Sequence, residues 1–187
     1  MSLLTTASQT VGPYLKIGFA RMLSDAIAPA KSVGEPVTVR GRLFDGDLQP
    51  VNDAALEIWQ ANAQGKYASP ADTRDTPVEA GFRGFGRVLT GADGEFRFTT
   101  IKPGRVPGPG GVLQAPHLAI VVFMRGSLRH LFTRIYFPDE PANAEDPILK
   151  LVPADRRATL IAKAAAAATL EWNIYMQGAN ETVFFDF

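Results

Sequence analysis

A mainly β protein, an antiparallel β-sandwich with one short helix and long loops, is predicted by three features of this 187-residue chain. Several short segments alternate apolar with polar residues at period two, the spacing that turns one face of a strand inward and the other to solvent. Fourteen prolines and 17 glycines divide the middle of the chain into pieces of strand length. A single Ala-rich stretch combines residues that lose little side-chain entropy in a helix.

The elements follow in chain order. EPVTVRGRLFD sets Val37, Val39 and, beyond Gly41, Leu43 and Phe44 in a strand pattern. AALEIWQAN is the next strand, with Leu56, Ile58 and Trp59 inside. GFGRVLTGADGEFRFTTIKPG holds two short strands flanking Gly91-Ala92-Asp93-Gly94, whose glycines supply the positive φ of a hairpin turn. HLAIVVFMRG is a continuous apolar run of strand length, and LRHLFTRIYF offers Leu128, Leu131, Ile135 and Phe137 to a core. ADRRATLIAKAAAAATLEW predicts a helix over residues 154–166, with a flexible connector as the alternative because alanines bury little surface. WNIYMQG and ETVFFDF read as closing strands about a turn at Gly178 and Asn180. The loose stretches are Ala68–Ala80 and Gly104–Gln114; in sandwiches such long connections are where binding sites are built.

The length suits one domain over residues 1–187, with residues 1–30 as an N-terminal arm. Nineteen Lys and Arg balance 19 Asp and Glu, so no net field draws the chain to nucleic acid or an anionic membrane. The first residues lack a basic segment followed by a long apolar run, and no stretch is long and apolar enough to span a bilayer. A soluble, non-exported protein is expected. The absence of cysteine excludes disulfides and thiol chemistry and fits the cytoplasm.

No Gly-x-Ser-x-Gly elbow is present and neither histidine has an evident serine partner, which argues against a hydrolase. GRVPGPGG lacks the Lys-Ser/Thr ending of a phosphate loop and reads as a surface loop. His117, His130, Tyr67, Tyr136 and Tyr175 are candidate metal ligands. Each taken alone is better explained by packing or hydrogen bonding.

Taken together, several motifs stand in a specific order. They are Ile58-Trp59-Gln60-Ala61-Asn62, Gly65-Lys66-Tyr67, Phe85-Gly86-Arg87, Thr90-Gly91-Ala92-Asp93-Gly94 and Thr100-Ile101-Lys102-Pro103-Gly104. Ala115-Pro116-His117, Leu131-Phe132-Thr133-Arg134-Ile135-Tyr136-Phe137 and Gln177-Gly178 continue them. In this order and spacing they resemble the intradiol ring-cleavage dioxygenases over nearly the whole chain. Ser8-Gln9-Thr10-Val11-Gly12-Pro13-Tyr14 and the ending Glu181-Thr182-Val183-Phe184-Phe185-Asp186-Phe187 are most similar to the iron-free chain of two-chain, protocatechuate-cleaving members.

The resemblance implies Fe(III) held in the catalytic chains by two tyrosinates and two histidines. Here Tyr67 and His117 match two of those positions, while Val106 and Ala119 stand at the other two. The His-x-His pattern needs both histidines, because i and i+2 on a strand share a face. The implication is a chain with no metal and no catalytic residue of its own. Fe(III) would sit in a homologous β subunit, within an αβ unit of a higher oligomer that cleaves protocatechuate with O2. Thr10, Gly12, Pro13 and Tyr14 would line that subunit's pocket, and Arg134 would hold the substrate carboxylate through paired hydrogen bonds. Two other readings stay open: a homo-oligomeric carrier that kept the fold without the chemistry, and an independent iron enzyme with ligands from Tyr67, His117 and His130.

Overall fold

The computed structural model describes residues 4–186. The first three residues of the expected arm, and Phe187 at the end of the last expected strand, lie outside the described residues. Strands β1 (Pro36–Phe44), β4 (Glu95–Ile101), β7 (Lys163–Ala166), β8 (Thr169–Glu171) and β9 (Ile174–Tyr175) make one sheet. Strands β2 (Ala55–Trp59), β3 (Phe85–Leu89), β5 (His117–Phe123) and β6 (Leu131–Tyr136) make the other, in the order β3-β2-β5-β6. The second sheet is antiparallel throughout. The first departs from the expectation in one respect: β1 pairs antiparallel with β4 but parallel with β8 and β9.

The core lies between the sheets. Leu56 and Ile58 from β2 and Leu118, Ile120 and Val122 from β5 meet Val37, Val39, Leu43, Phe96 and Phe98 of the other sheet. Because alternate side chains point to opposite faces, His117 and Ala119 of β5 lie on the far side of the second sheet, under the loops rather than in the core. Gly41 marks the tightest approach inside β1: a Cβ there would sit 1.7 Å from the Trp172 carbonyl oxygen. The Trp172 backbone is held in place, its N–H donating to the Arg40 carbonyl at 2.9 Å and its indole N–H to the Thr159 carbonyl at 2.9 Å. Gly41→Ala is therefore expected to destabilise the chain by about 1–3 kcal/mol, the usual cost of overpacking. A urea midpoint unchanged by this substitution would rule out the close approach.

Three expectations need correction. The helix over 154–166 does not form: Arg157–Leu160 is a short 3-10 turn, and Lys163–Ala166 is the edge strand β7, exposed throughout and paired with β8. An Ala-rich segment has little apolar surface to pack, and helix propensity alone is marginal over so short a run. Backbone pairing with β8, together with burial of Leu160 and Ala162, prevails. The short helix lies instead at Pro13–Phe19 (α1), started by a proline at its first turn, and buries none of its residues. The turn at Gly91–Gly94 does form, with Gly94 at φ +69° and its N–H on the Gly91 carbonyl at 3.0 Å, but its strands do not pair. β3 joins β2 and β4 joins β1, so the turn carries the chain from one sheet to the other. Leu128 is 65% exposed, while Ile135 and Phe137 are buried as expected.

The closing segments form only in part. β8 and β9 are short strands, and the last described stretch contributes one bridge, between Phe132 and Phe185. Within the N-terminal arm, Ser24 bridges Arg87 of β3 and Ala26 bridges Thr99 of β4, with Ile27 and Ala28 buried. That part of the arm is stitched to both sheets. Among the described residues no helix is long and apolar enough to cross a membrane.

Candidate functional site

The sequence motifs converge because buried polar side chains tie their loops together. Gln60, fully buried, donates through Nε2 to the Ala61 and Ile101 carbonyls at 3.0 and 3.1 Å and accepts from the Thr100 hydroxyl. Asn62 accepts from the Gln64 and Lys66 N–H groups and donates to the Pro77 carbonyl and the Glu79 carboxylate at 3.0 Å. Its own carbonyl accepts from Gly65 at 3.0 Å and Gly104 at 2.9 Å. Gly65 has φ +77°, and a Cβ on it would meet the Arg105 carbonyl oxygen at 2.0 Å. Glycine is required here on both counts. The result is that the turn bearing Tyr67 lies against the loop bearing Val106.

Both expected loose stretches meet here, around a cavity of about 430 Å³ lined by Trp59, Tyr67, Asp72, Arg74, Val106 and Pro107 among others. Its wall from the 68–80 loop is an ionic knot. Asp72 receives Lys66 at 3.2 Å and Arg74 at 2.5 Å, and Arg74 also donates to the Gly65 carbonyl at 2.7 Å. The hydrogen bonds from Arg74 hold the Asp72 carboxyl well below its usual range. The Tyr67 ring stacks on Trp59, with centroids 6.0 Å apart and planes 8° from parallel. Burial pushes the Tyr67 hydroxyl up, against the opposing charges of Arg134 and Arg74.

Strand register places the rest. Across the outer face of the second sheet, Trp59 lies opposite Ala119 and Ala119 opposite Arg134; one step along, His117 lies opposite Tyr136. Directly opposed residues have Cβ atoms about 5 Å apart. Arg134 Nη1 donates to Gln114 Oε1 at 2.6 Å and to the Tyr136 hydroxyl at 3.4 Å, and its guanidinium lies 5.8 Å from the Phe185 ring centroid. No carboxylate among the described residues lies within ion-pair range of Arg134. His117 donates from Nδ1 to the Ala115 carbonyl at 2.8 Å, leaving Nε2 as its acceptor nitrogen. Burial first, and then the charge of Arg134, hold its pKa down to about 4. Burial also raises Tyr136, whose hydroxyl donates to Asp146 at 3.1 Å.

The residues present do not fit a metal held in the family manner. Tyr67 and His117 offer two donor atoms, but Val106 and Ala119 offer none, and a guanidinium stands beside Ala119. His130 is no substitute: its ring packs between Phe123 and Phe132, at 5.5 and 4.9 Å, near the β5–β6 connection. Tyr175 stacks on Phe44 at 5.2 Å in the opposite sheet.

The five residues expected to meet substrate form two groups. Arg134 belongs to the cluster just described. Thr10 lies elsewhere, its hydroxyl accepting from the Gly126 N–H at 2.8 Å, and Gly12 and Pro13 border a depression of about 240 Å³ with Ile17 and Asp53. Tyr14 is 85% exposed. Sequence reasoning missed Gln114, which aims Arg134, and Asp146, a buried carboxylate that anchors Tyr136. Gln114 directly precedes the Ala115-Pro116-His117 motif, and Asp146 precedes a proline, a frequent position for a side chain that caps the next turn.

Comparison with known proteins accords with this geometry. The family model described as "Dioxygenase" matches residues 19–178. The protocatechuate 3,4-dioxygenase alpha chain of Burkholderia cepacia is 45% identical over 197 residues, covering 97% of this chain and 96% of that one. The beta chain from the same organism is 33% identical over 170 residues, covering 86% and 72%. Among solved structures, the dioxygenase domain of a dioxygenase carbohydrate-binding fusion from Streptomyces sp. SirexAA-E superposes with a TM-score of 0.62 at 25% identity, over 86% of this chain and 89% of that one. With a family match over most of its length, full-length likeness to an alpha chain and the expected sandwich, this chain belongs to the intradiol ring-cleavage dioxygenase family.

Proposed function

We propose that this chain is the iron-free α subunit of a protocatechuate 3,4-dioxygenase, completing the substrate pocket of an iron-bearing β subunit within an αβ unit. The enzyme cleaves 3,4-dihydroxybenzoate with O2 between its hydroxyls to give 3-carboxy-cis,cis-muconate. The partner's Fe(III) supplies the activation of the catechol ring toward O2, and this chain contributes binding surface. The observation that carries the reading is likeness to an alpha chain across the full length of both proteins, joined to the loss of donors at Val106 and Ala119.

The arm has the surface such a role requires. Helix α1 buries no residue, and Tyr14 and Ile17 stand 85% and 67% exposed, costly in water unless a partner covers them. Among the described residues, none beyond its two chain neighbours lies within 4 Å of a Cβ on Gly12, which leaves the bare backbone there open to a partner. Arg134, half-buried with no carboxylate partner among the described residues, suits a substrate carboxylate, because a desolvated cation is stabilised by pairing with an anion.

The test is co-expression with a β chain. Iron is expected in the αβ complex and not in this chain purified alone. Arg134→Ala and Tyr14→Ala are each expected to raise KM for protocatechuate about tenfold, the worth of one charge-assisted or aromatic contact. Stoichiometric iron in the isolated chain would sink the proposal. A stable homo-oligomer that ignores the β chain would favour the carrier.

A further inference from the structure

The pocket that brings Tyr67 and His117 together also holds a cation. Cross-strand register sets Arg134 directly opposite Ala119, the position at which a second histidine would reach a metal, and on the same sheet face as His117. Trp59, on the other side of Ala119, carries the stacked Tyr67 ring. The guanidinium therefore shares one sheet face with both surviving donor residues, with only the small Ala119 side chain standing between its strand and Trp59 with the stacked Tyr67. It is aimed there by two fixed acceptors, Gln114 Oε1 at 2.6 Å and the Tyr136 hydroxyl at 3.4 Å. Gln114 is itself anchored, donating from Nε2 to the Pro107 carbonyl at 3.1 Å, and Tyr136 is anchored by Asp146. Arg134 also opposes proton uptake on His117 and proton retention on Tyr67.

We propose that the Arg134 guanidinium takes the place of a metal cation in this pocket, so that the site excludes metal ions by charge and occupancy as well as by the absence of ligands. An arginine is suited to this role because it stays protonated in proteins and presents several fixed N–H donors to the oxygen and nitrogen acceptors that would face a metal. A fixed positive charge a few ångströms away repels a divalent or trivalent ion strongly at the low effective dielectric of a half-buried site. Restoring the missing donors alone then fails to restore metal binding.

The experiment compares full-length variants. Val106→Tyr with Ala119→His rebuilds four donor side chains while leaving Arg134 in place. Adding Arg134→Met removes the charge at similar length, and adding Arg134→Lys keeps it. Each protein is checked for a native circular dichroism spectrum, then titrated with Co(II) by equilibrium dialysis and with Fe(III) nitrilotriacetate, following the visible tyrosinate-to-iron absorption. The Met-bearing triple variant is expected to bind one metal ion at least about a hundredfold more tightly than the double variant, as repulsion between close like charges implies. The Lys-bearing triple variant is expected to behave like the double. If the Met substitution unfolds the chain, Arg134→Gln in the same background serves for the comparison. Equal affinity in the double and charge-free triple variants, whether tight or absent in both, overturns the proposal. So does tight binding by the Lys variant.

Discussion

Replacing Asp146 with alanine is expected to lower the stability of the folded chain by about 3–5 kcal/mol, the range for removing a buried, fully hydrogen-bonded charge. Asp146 is completely buried, and both oxygens are engaged. Oδ1 accepts from the Tyr136 hydroxyl at 3.1 Å, Ile148 N–H at 2.9 Å and Leu149 N–H at 2.7 Å, and Oδ2 accepts from Ala115 N–H at 2.7 Å. Alanine leaves these donors without a partner in a space closed to water, and the cost of stranded donors exceeds what their bonds contribute net. Asparagine is expected to fall between the two: its amide oxygen replaces Oδ1, but its NH2 group faces the Ala115 N–H as donor against donor. Urea unfolding measures the difference, and a loss below about 1 kcal/mol for alanine would show that the network carries little of the fold. Asp146 also anchors Tyr136, which takes part in aiming Arg134, so its removal loosens the candidate site as well.

The stability of the chain should fall as pH drops from 6.5, and His117 should be the cause. Burial and the Arg134 charge hold its folded pKa at about 4, against 6.5 in the unfolded chain. Below pH 6.5 the unfolded chain takes up a proton that the folded chain refuses. The contribution of neutral His117 is therefore fully present above pH 6.5 and is lost progressively down to about pH 4. Between pH 6.5 and about 5 the expected loss is about 2 kcal/mol, at roughly 1.4 kcal/mol per pH unit. Asp72 and Glu140, held below their usual values chiefly by hydrogen bonds from Arg74 and Lys102, also lose stability on acidification, but only as pH approaches their unfolded values near 4. Denaturant titrations at several pH values test this. His117→Gln should flatten the profile above about pH 5, whereas an unchanged slope would assign the proton uptake elsewhere.

The sandwich was legible because period-two alternation is a local signal: the same side chains that write it, such as Val37, Val39, Leu56, Ile58 and Ile120, become the core. The resemblance likewise works on local motifs, which is how it singles out Tyr67, Val106, His117 and Ala119 as the positions to compare with a ligand set. What local pattern could not carry was the choice of partner. The Gly91–Gly94 turn reverses the chain whether its strands pair with each other or, as here, with β2 and β1 in separate sheets. The alanines of β7 have the propensity of a helix, yet the open edge of β8 decides their conformation. By itself the sequence determined the β-rich class, the family likeness and the missing donors at Val106 and Ala119, two side chains with no atom to offer a metal. Only the tertiary structure decided that a cation lies beside those missing donors, because Arg134 reaches Ala119 through the pairing of β5 with β6, and its aim comes from Gln114 and Tyr136, 20 and two residues away along the chain.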